Sequence, residues 1–161
     1  MLINQLSDAD MVTVEITNGS SKFILVSMYL DRENQIELDL VKIEAANRHA
    51  KGSGVLIAKH SNSRSTLWHD KLTNARGRIL KEFITSQQLH ILNKESNNTT
   101  FRNRIGGSNI DLTLITDHLL HRISRWEISD QESSSDHSTI IYVINQSASH
   151  AKPVNLQDGA T

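Results

Sequence analysis

Apolar and polar positions alternate along residues 12–17, and Asn18-Gly19 follows as a turn signal. The apolar run 23–30 then reads as a buried strand, so the two segments predict a hairpin. The turn Asn18-Gly19-Ser20-Ser21 predicts a loose one. Ile36, Leu40 and Ile43, with Val41, form one apolar face at helical spacing, and Asp31 ahead of them is a candidate cap. This predicts a helix ending near Ala50, stopped by Gly52 and Gly54, with a short buried strand over 55–58. A polar loop over 59–65 leads to a second helix over 73–88, marked by Leu80, Phe83, Ile84 and Leu89. Beyond it come a short strand at 90–92, an extended stretch at 97–101, a Gly106-Gly107 turn and a strand over 110–116. Trp126-Glu127-Ile128 is a further candidate strand. The last strand, 139–144, is apolar throughout, which predicts a central position in a sheet. Strand, strand, helix, strand, helix and then several strands make a mixed α/β fold.

The length, 161 residues, fits one domain with a real core. A net charge of −1 excludes a chain that grips nucleic acid by overall charge, so any such contact needs a local patch. The absence of cysteine removes disulfides and thiolate metal sites and suits an intracellular setting. No apolar run reaches membrane-span length, and residues 1–10 lack a signal-peptide pattern. Residues 1–11 read as a lead, 12–144 as the domain, and 145–161, a polar stretch holding Pro153, as a disordered tail.

Three segments carry candidate chemistry. Ser133-Ser134-Ser135-Asp136-His137 is a polar loop that empties into the last strand, and it sets an acid beside an imidazole where a sheet can fix both. A serine-rich turn capped by its aspartate explains the same residues. In Ser108-Asn109-Ile110-Asp111-Leu112-Thr113-Leu114, Asp111 and Thr113 share the strand face opposite Ile110, Leu112 and Leu114. An acid in a strand needs a partner, and a histidine is a natural one, although a strand with one wet face also accounts for it. The loop His60-Ser61-Asn62-Ser63-Arg64-Ser65 follows a buried strand, as binding loops often do, and it equally has the composition of an ordinary surface loop. Trp68, His69 and Asp70 read as a packed aromatic beside a helix cap.

In this order and spacing the segments resemble the endonuclease/exonuclease/phosphatase superfamily, deoxyribonuclease I-like, in its non-LTR retrotransposon branch. Ser135-Asp136-His137 is similar to its C-terminal signature, Ser108–Thr113 to the Ile-Asp strand, and Thr99-Thr100-Phe101 to the Thr-Phe pair before that strand. Ser27-Met28-Tyr29-Leu30 resembles the strand of the active-site tyrosine. Asn62-Ser63-Arg64-Ser65-Thr66-Leu67-Trp68 and Arg76-Gly77-Arg78 resemble the retrotransposon asparagine loop and Arg-Gly helix.

The resemblance implies a mixed two-sheet sandwich flanked by helices, cleaving phosphodiesters with Mg²⁺ or Mn²⁺ on a DNA partner, in the nucleus if the DNA is genomic. It implies Asp136 as a metal carboxylate, His137 on the scissile phosphate, and Asp111 as the partner that orients His137. It implies Asn62 positioning phosphate and water, and Tyr29 contacting the phosphate. Two departures stand out. His60 occupies the place of a water-activating aspartate, and residues 1–11 hold no counterpart of the family's Asn strand and metal-binding Glu loop. The expectation is thus a domain shortened at its N-terminus, either a Mg²⁺-dependent endonuclease by descent or a non-enzymatic remnant of one. A small-molecule phosphatase of the same superfamily is the third reading. A serine hydrolase built on Ser135 and His137 is disfavoured, because no glycine-flanked serine elbow is present.

Overall fold

The computed structural model describes residues 1–19 and 21–146. Strands β1 (Met11–Asn18) and β2 (Ser21–Tyr29) pair antiparallel from Met11↔Met28 to Asn18↔Ser21, a tighter hairpin than the turn sequence suggested. Helix α1 (Ile36–Ala50) follows, and strand β3 (Val55–His60) runs parallel to β2. Asp31 caps a turn instead of this helix, its carboxylate accepting from the Glu33 N–H at 3.0 Å. Val41 is 58% exposed. The buried stripe runs through Ile36, Leu40, Ile43 and Ala50, and Val41 lies about 100° around the helix from Leu40.

Helix α2 (Ala75–Ser86) begins at Asn74, whose Oδ1 accepts from the Gly77 N–H at 2.7 Å and the Arg64 N–H at 3.1 Å. A Cβ on Gly77 would stand 1.9 Å from the Arg64 carbonyl oxygen, so only glycine lets α2 seat against that loop. Then come β4 (Leu89–Ile91), β5 (Phe101–Arg102), β6 (Gly107–Ser108), β7 (Asp111–Thr116), α3 (Asp117–Leu120), β8 (Ile123–Ile128) and β9 (Ile140–Ile144). The short α3 was not anticipated, since one helical turn shows no periodicity.

The main sheet has the order β1-β2-β3-β7-β4. Alternation along its strands sends Ile24, Val26, Met28, Val55, Ile57, Leu112 and Leu114 toward α1 and α2. Phe23, Leu56 and Ile115 go to the opposite face, where Trp126 and Ile128 of β8 close a second core. The main sheet and the β8–β9 pair, with α1 and α2 on one outer face, form the expected mixed sandwich, and β5–β6 is a separate short pair. The last strand departs from expectation. Among the described residues β9 pairs with β8 alone, and Ile141 and Val143 are 36% and 40% exposed. An unbroken apolar run does not distinguish a central strand from one whose outer face is wet. The expected lead is packed: Ile3 is buried and its N–H donates to the Thr13 carbonyl at 2.9 Å. The expected tail lies outside the described residues except for Asn145 and Gln146, and Asn145 is tied to Arg122 by bonds of 2.8 and 2.7 Å. Among the described residues no helix is long and apolar enough to cross a membrane.

One residue works against the fold. Lys59, expected in a loop, lies in β3 and points its side chain into the helix-side core, 4% exposed. Its Nζ, Asp39 Oδ2 and Arg76 Nε and Nη2 are buried without hydrogen-bond partners among the described residues. Burial pulls the Lys59 pKa down to about 7, against which the Asp39 charge pushes weakly. Burial also raises the Asp39 pKa.

Between pH 7 and the ordinary lysine range the unfolded chain holds a proton that the folded chain has released, so stability increases with pH across that window. Below pH 7 Lys59 is protonated in both states and the full cost of its burial is present. Urea unfolding should therefore show Lys59→Met more stable than the parent at pH 7, by about 1–3 kcal/mol, with the gap narrowing by pH 10. A destabilised variant would mean that Lys59 is paired.

Candidate active site

The register of the main sheet lines up three residues on neighbouring strands. Tyr29 ends β2 opposite His60 on β3, and His60 lies opposite Asp111 at the start of β7. Strand parity turns all three away from the helices, toward the cleft between the sheets. The predicted loop begins later than expected, because His60 belongs to the strand. This gives the imidazole a rigid base.

Asp111 joins two histidines. Its Oδ1 lies 2.9 Å from His60 Nδ1 and its Oδ2 lies 2.9 Å from His137 Nδ1. The Tyr29 and His60 rings stack at 5.2 Å and 9°, and His60 meets His137 edge-on at 4.8 Å. Asn62, at φ 48°, places Oδ1 2.9 Å from His60 Nε2 while its Nδ2 donates to the Leu30 carbonyl at 2.9 Å. Tyr29, His60, Asp111 and His137 border a cleft of about 570 Å³ that also reaches Tyr142 of β9.

His137 is brought in by backbone pairing with the segment around β5. The Arg102 N–H donates to the Asp136 carbonyl and the Ser138 N–H to the Thr100 carbonyl, both at 2.8 Å. Phe101 packs edge-on against the His137 ring at 4.9 Å. Alternation along this stretch then carries Asp136 out of the cluster. Its side chain is exposed and borders a separate shallow pocket with Asn103, Arg104 and Ile105. Of the candidate site residues, then, Tyr29, Asn62, Asp111 and His137 come together and Asp136 does not. Ser135 Oγ accepts from the His137 backbone N–H at 3.1 Å, which is a turn bond and not a nucleophile–base contact.

The surroundings of His60 specify its protonation. Nδ1 faces a carboxylate and Nε2 faces an amide oxygen, whose orientation is fixed by the bond from Nδ2 to Leu30. Both ring nitrogens must therefore donate, which describes an imidazolium. Burial pulls the His60 pKa down, but the hydrogen bond and charge of Asp111, with the Asn62 contact, outweigh it and raise the pKa above the ordinary imidazole value. A histidine with both nitrogens protonated cannot take a proton from water.

Supporting residues escaped sequence reasoning. Thr100, fully buried, accepts on Oγ1 from the N–H groups of Ile110 at 3.1 Å and Asp111 at 3.0 Å. Asp70, read as a cap, instead pairs with Arg64 at 2.8 Å and accepts from the Asn109 N–H at 2.8 Å, binding the asparagine loop to the approach of β7. The Thr-Phe pair hinted at Thr100. Nothing local to Asp70 separates a long-range anchor from a cap.

The sequence profile of the endonuclease-reverse transcriptase family matches residues 23–141, most of the chain and every residue of this cluster. The chain belongs to that family. It is 24% identical over 148 residues to the retrovirus-related Pol polyprotein from type-1 retrotransposable element R1 of Bradysia coprophila, across 87% of this chain. It spans only 15% of that polyprotein. It superposes on the endonuclease domain of TRAS1, a telomere-specific non-LTR retrotransposon, with a TM-score of 0.83 and 29% identity. That match covers 90% of this chain and 66% of that domain. AP endonuclease LMAP from Leishmania major shares the fold, with a TM-score of 0.62 and 10% identity over 86% of this chain and 55% of that one.

Membership points to a divalent metal, and His60, Asp111 and His137 offer ligand atoms that all lie within 4.8 Å of one another. The donors do not suit Mg²⁺. It demands near-octahedral oxygen ligation, usually one or two carboxylates with waters and substrate. Two of the three donors here are imidazole nitrogens, and Asp136, the carboxylate expected to bind metal, lies outside the cluster.

Thr100→Val keeps the shape of Thr100 and removes the acceptor for two buried N–H groups. Denaturant titration should show a loss of about 1–3 kcal/mol. A loss below about 0.5 kcal/mol would mean that water takes over both bonds.

Proposed function

We propose that the chain carries a DNA endonuclease site of non-LTR retrotransposon type that keeps its phosphodiester-recognition half and has lost Mg²⁺-dependent cleavage. The observation that carries this reading is the Asp111–His137 pair, whose two atoms lie 2.9 Å apart at the cleft. With Nδ1 held by the carboxylate, Nε2 is the nitrogen left to donate to a phosphate oxygen and offset its charge. Tyr29, 45% exposed beside the cleft, is placed to add a second donor. The family, and the retrotransposon proteins similar to this chain, support DNA as the partner.

Cleavage additionally needs a base for water. In the place where the family holds an aspartate, His60 is committed at both nitrogens. It also removes the oxygen ligand that Mg²⁺ would take at that point. Recognition and cleavage therefore separate here.

Nicking of supercoiled plasmid with Mg²⁺ at pH 7.5 tests this. The chain, shown folded by circular dichroism, should stay at background, and His60→Asp should raise nicking at least about tenfold. Binding of a duplex oligonucleotide at low salt, read by fluorescence anisotropy, should weaken about five- to tenfold in His137→Ala. Robust nicking by the parent that His137→Ala abolishes would overturn the loss of cleavage. Equal duplex binding by parent and His137→Ala would overturn the recognition half.

A further inference from the structure

We propose that His60, Asp111 and His137 form a three-ligand site for a nitrogen-preferring divalent transition metal of the zinc class, in place of a Mg²⁺ site. Each histidine turns Nδ1 to a different oxygen of the one carboxylate, at 2.9 Å in both cases. All three ligand atoms lie within 4.8 Å of one another. Zinc-class ions bind imidazole nitrogen and carboxylate oxygen at about 2.0–2.2 Å, so their ligand atoms stand roughly 3–3.5 Å apart. Each histidine Nδ1 is already 2.9 Å from a carboxylate oxygen, and the widest separation in the set, at most 4.8 Å, closes as the ion enters. An ion entering the cluster displaces the Nδ1 proton of each histidine, to solvent from the His60 imidazolium and to solvent or Nε2 from His137, and replaces the two N–H···O contacts with metal–ligand bonds.

The outer contacts are those a metal-bound histidine uses. Nε2 of His60 donates to Asn62 Oδ1, which fixes the ring orientation and keeps that proton in place when an ion displaces the one on Nδ1. Asn62 is itself tied to the Leu30 carbonyl, and Asp111 is held through its backbone N–H by Thr100 and through its backbone carbonyl by Asn93. The two histidines divide the remaining tasks. His60 has a side chain 17% exposed on a strand, and supplies the rigid ligand. His137, 40% exposed at the cleft, supplies the entry side and leaves room for water or a phosphate oxygen as a further ligand.

Ligand chemistry decides which ion. Two imidazoles and one carboxylate suit Zn²⁺, Co²⁺ or Ni²⁺, whereas Mg²⁺ needs oxygens and retains its waters. The metal site shares its residues with the function proposed above. Ligation is measured without nucleic acid, however, so the two stand or fall separately.

The test is calorimetric titration of the full chain with Zn²⁺ and with Mg²⁺ at pH 7.5, alongside visible absorption with Co²⁺. Zn²⁺ should bind at one equivalent and at least about 100-fold more tightly than Mg²⁺. His60→Asn and His137→Asn should each weaken it more than about tenfold, and Asn62→Ala by about tenfold. His90→Asn, in a separate surface pair with Asp117, should leave it unchanged. If the ligand variants do not fold, the parent still decides. Co²⁺ should give the strong d–d bands of a four- or five-coordinate site, with two paramagnetically shifted imidazole N–H signals. Equal affinity for Zn²⁺ and Mg²⁺, Zn²⁺ binding untouched by the two histidine changes, or a weak octahedral Co²⁺ spectrum would overturn the proposal.

Discussion

The Asp111 carboxylate accepts from two imidazoles at once, one on each oxygen, and the arrangement of the site follows from that constraint. Both bonds require the three groups to arrive from fixed directions. β3 and β7 deliver His60 and Asp111 as a cross-strand pair, and the pairing of Arg102 and Ser138 with the neighbouring loop delivers His137. Thr100 connects the two deliveries, since its hydroxyl receives the Asp111 N–H while its carbonyl receives that of Ser138. A carboxylate that is half-buried and doubly occupied holds both rings in one orientation, which a free carboxylate on a loop would not do.

The same constraint explains why a single residue change alters the chemistry. An aspartate at position 60 would face Asp111 across the strand pair, and two carboxylates so placed call for a cation between them. His60 satisfies Asp111 directly. In the metal-free chain the His60 imidazolium supplies positive charge beside Asp111, and the donor set offered to an ion moves from oxygen toward nitrogen. The family fold is retained because it rests on the apolar faces of β2, β3 and β7 against α1 and α2, none of which depends on residue 60.

Much of this was legible in the sequence, and the gaps have physical causes. The two long helices, the order of elements along the chain and the opposite faces of Asp111 and Leu112 follow from periodicity, which records local geometry directly. A histidine partner for Asp111 was one of the two readings that the strand acid allowed, because an unpaired acid there is costly. The sequence did not reveal that His60 would be a second partner. It was assigned to a loop, since a strand entering a site breaks its apolar pattern where function begins. Lys59 misled for the same reason: a charged residue reads as solvent-facing, yet the parity of β3 sends it into the core. Asp136 was assigned by motif position, and alternation about His137 turned it outward.

A doubly hydrogen-bonded His60 bridges Asp111 and Asn62 at the centre of the site. Long-range ¹⁵N–¹H correlation spectra of the imidazoles in the metal-free chain at pH 7 read this directly. One histidine should show both ring nitrogens protonated, with N–H protons slow to exchange, and Asp111→Asn should lose that signature. A neutral His60 with an unprotonated nitrogen and fast exchange would contradict it.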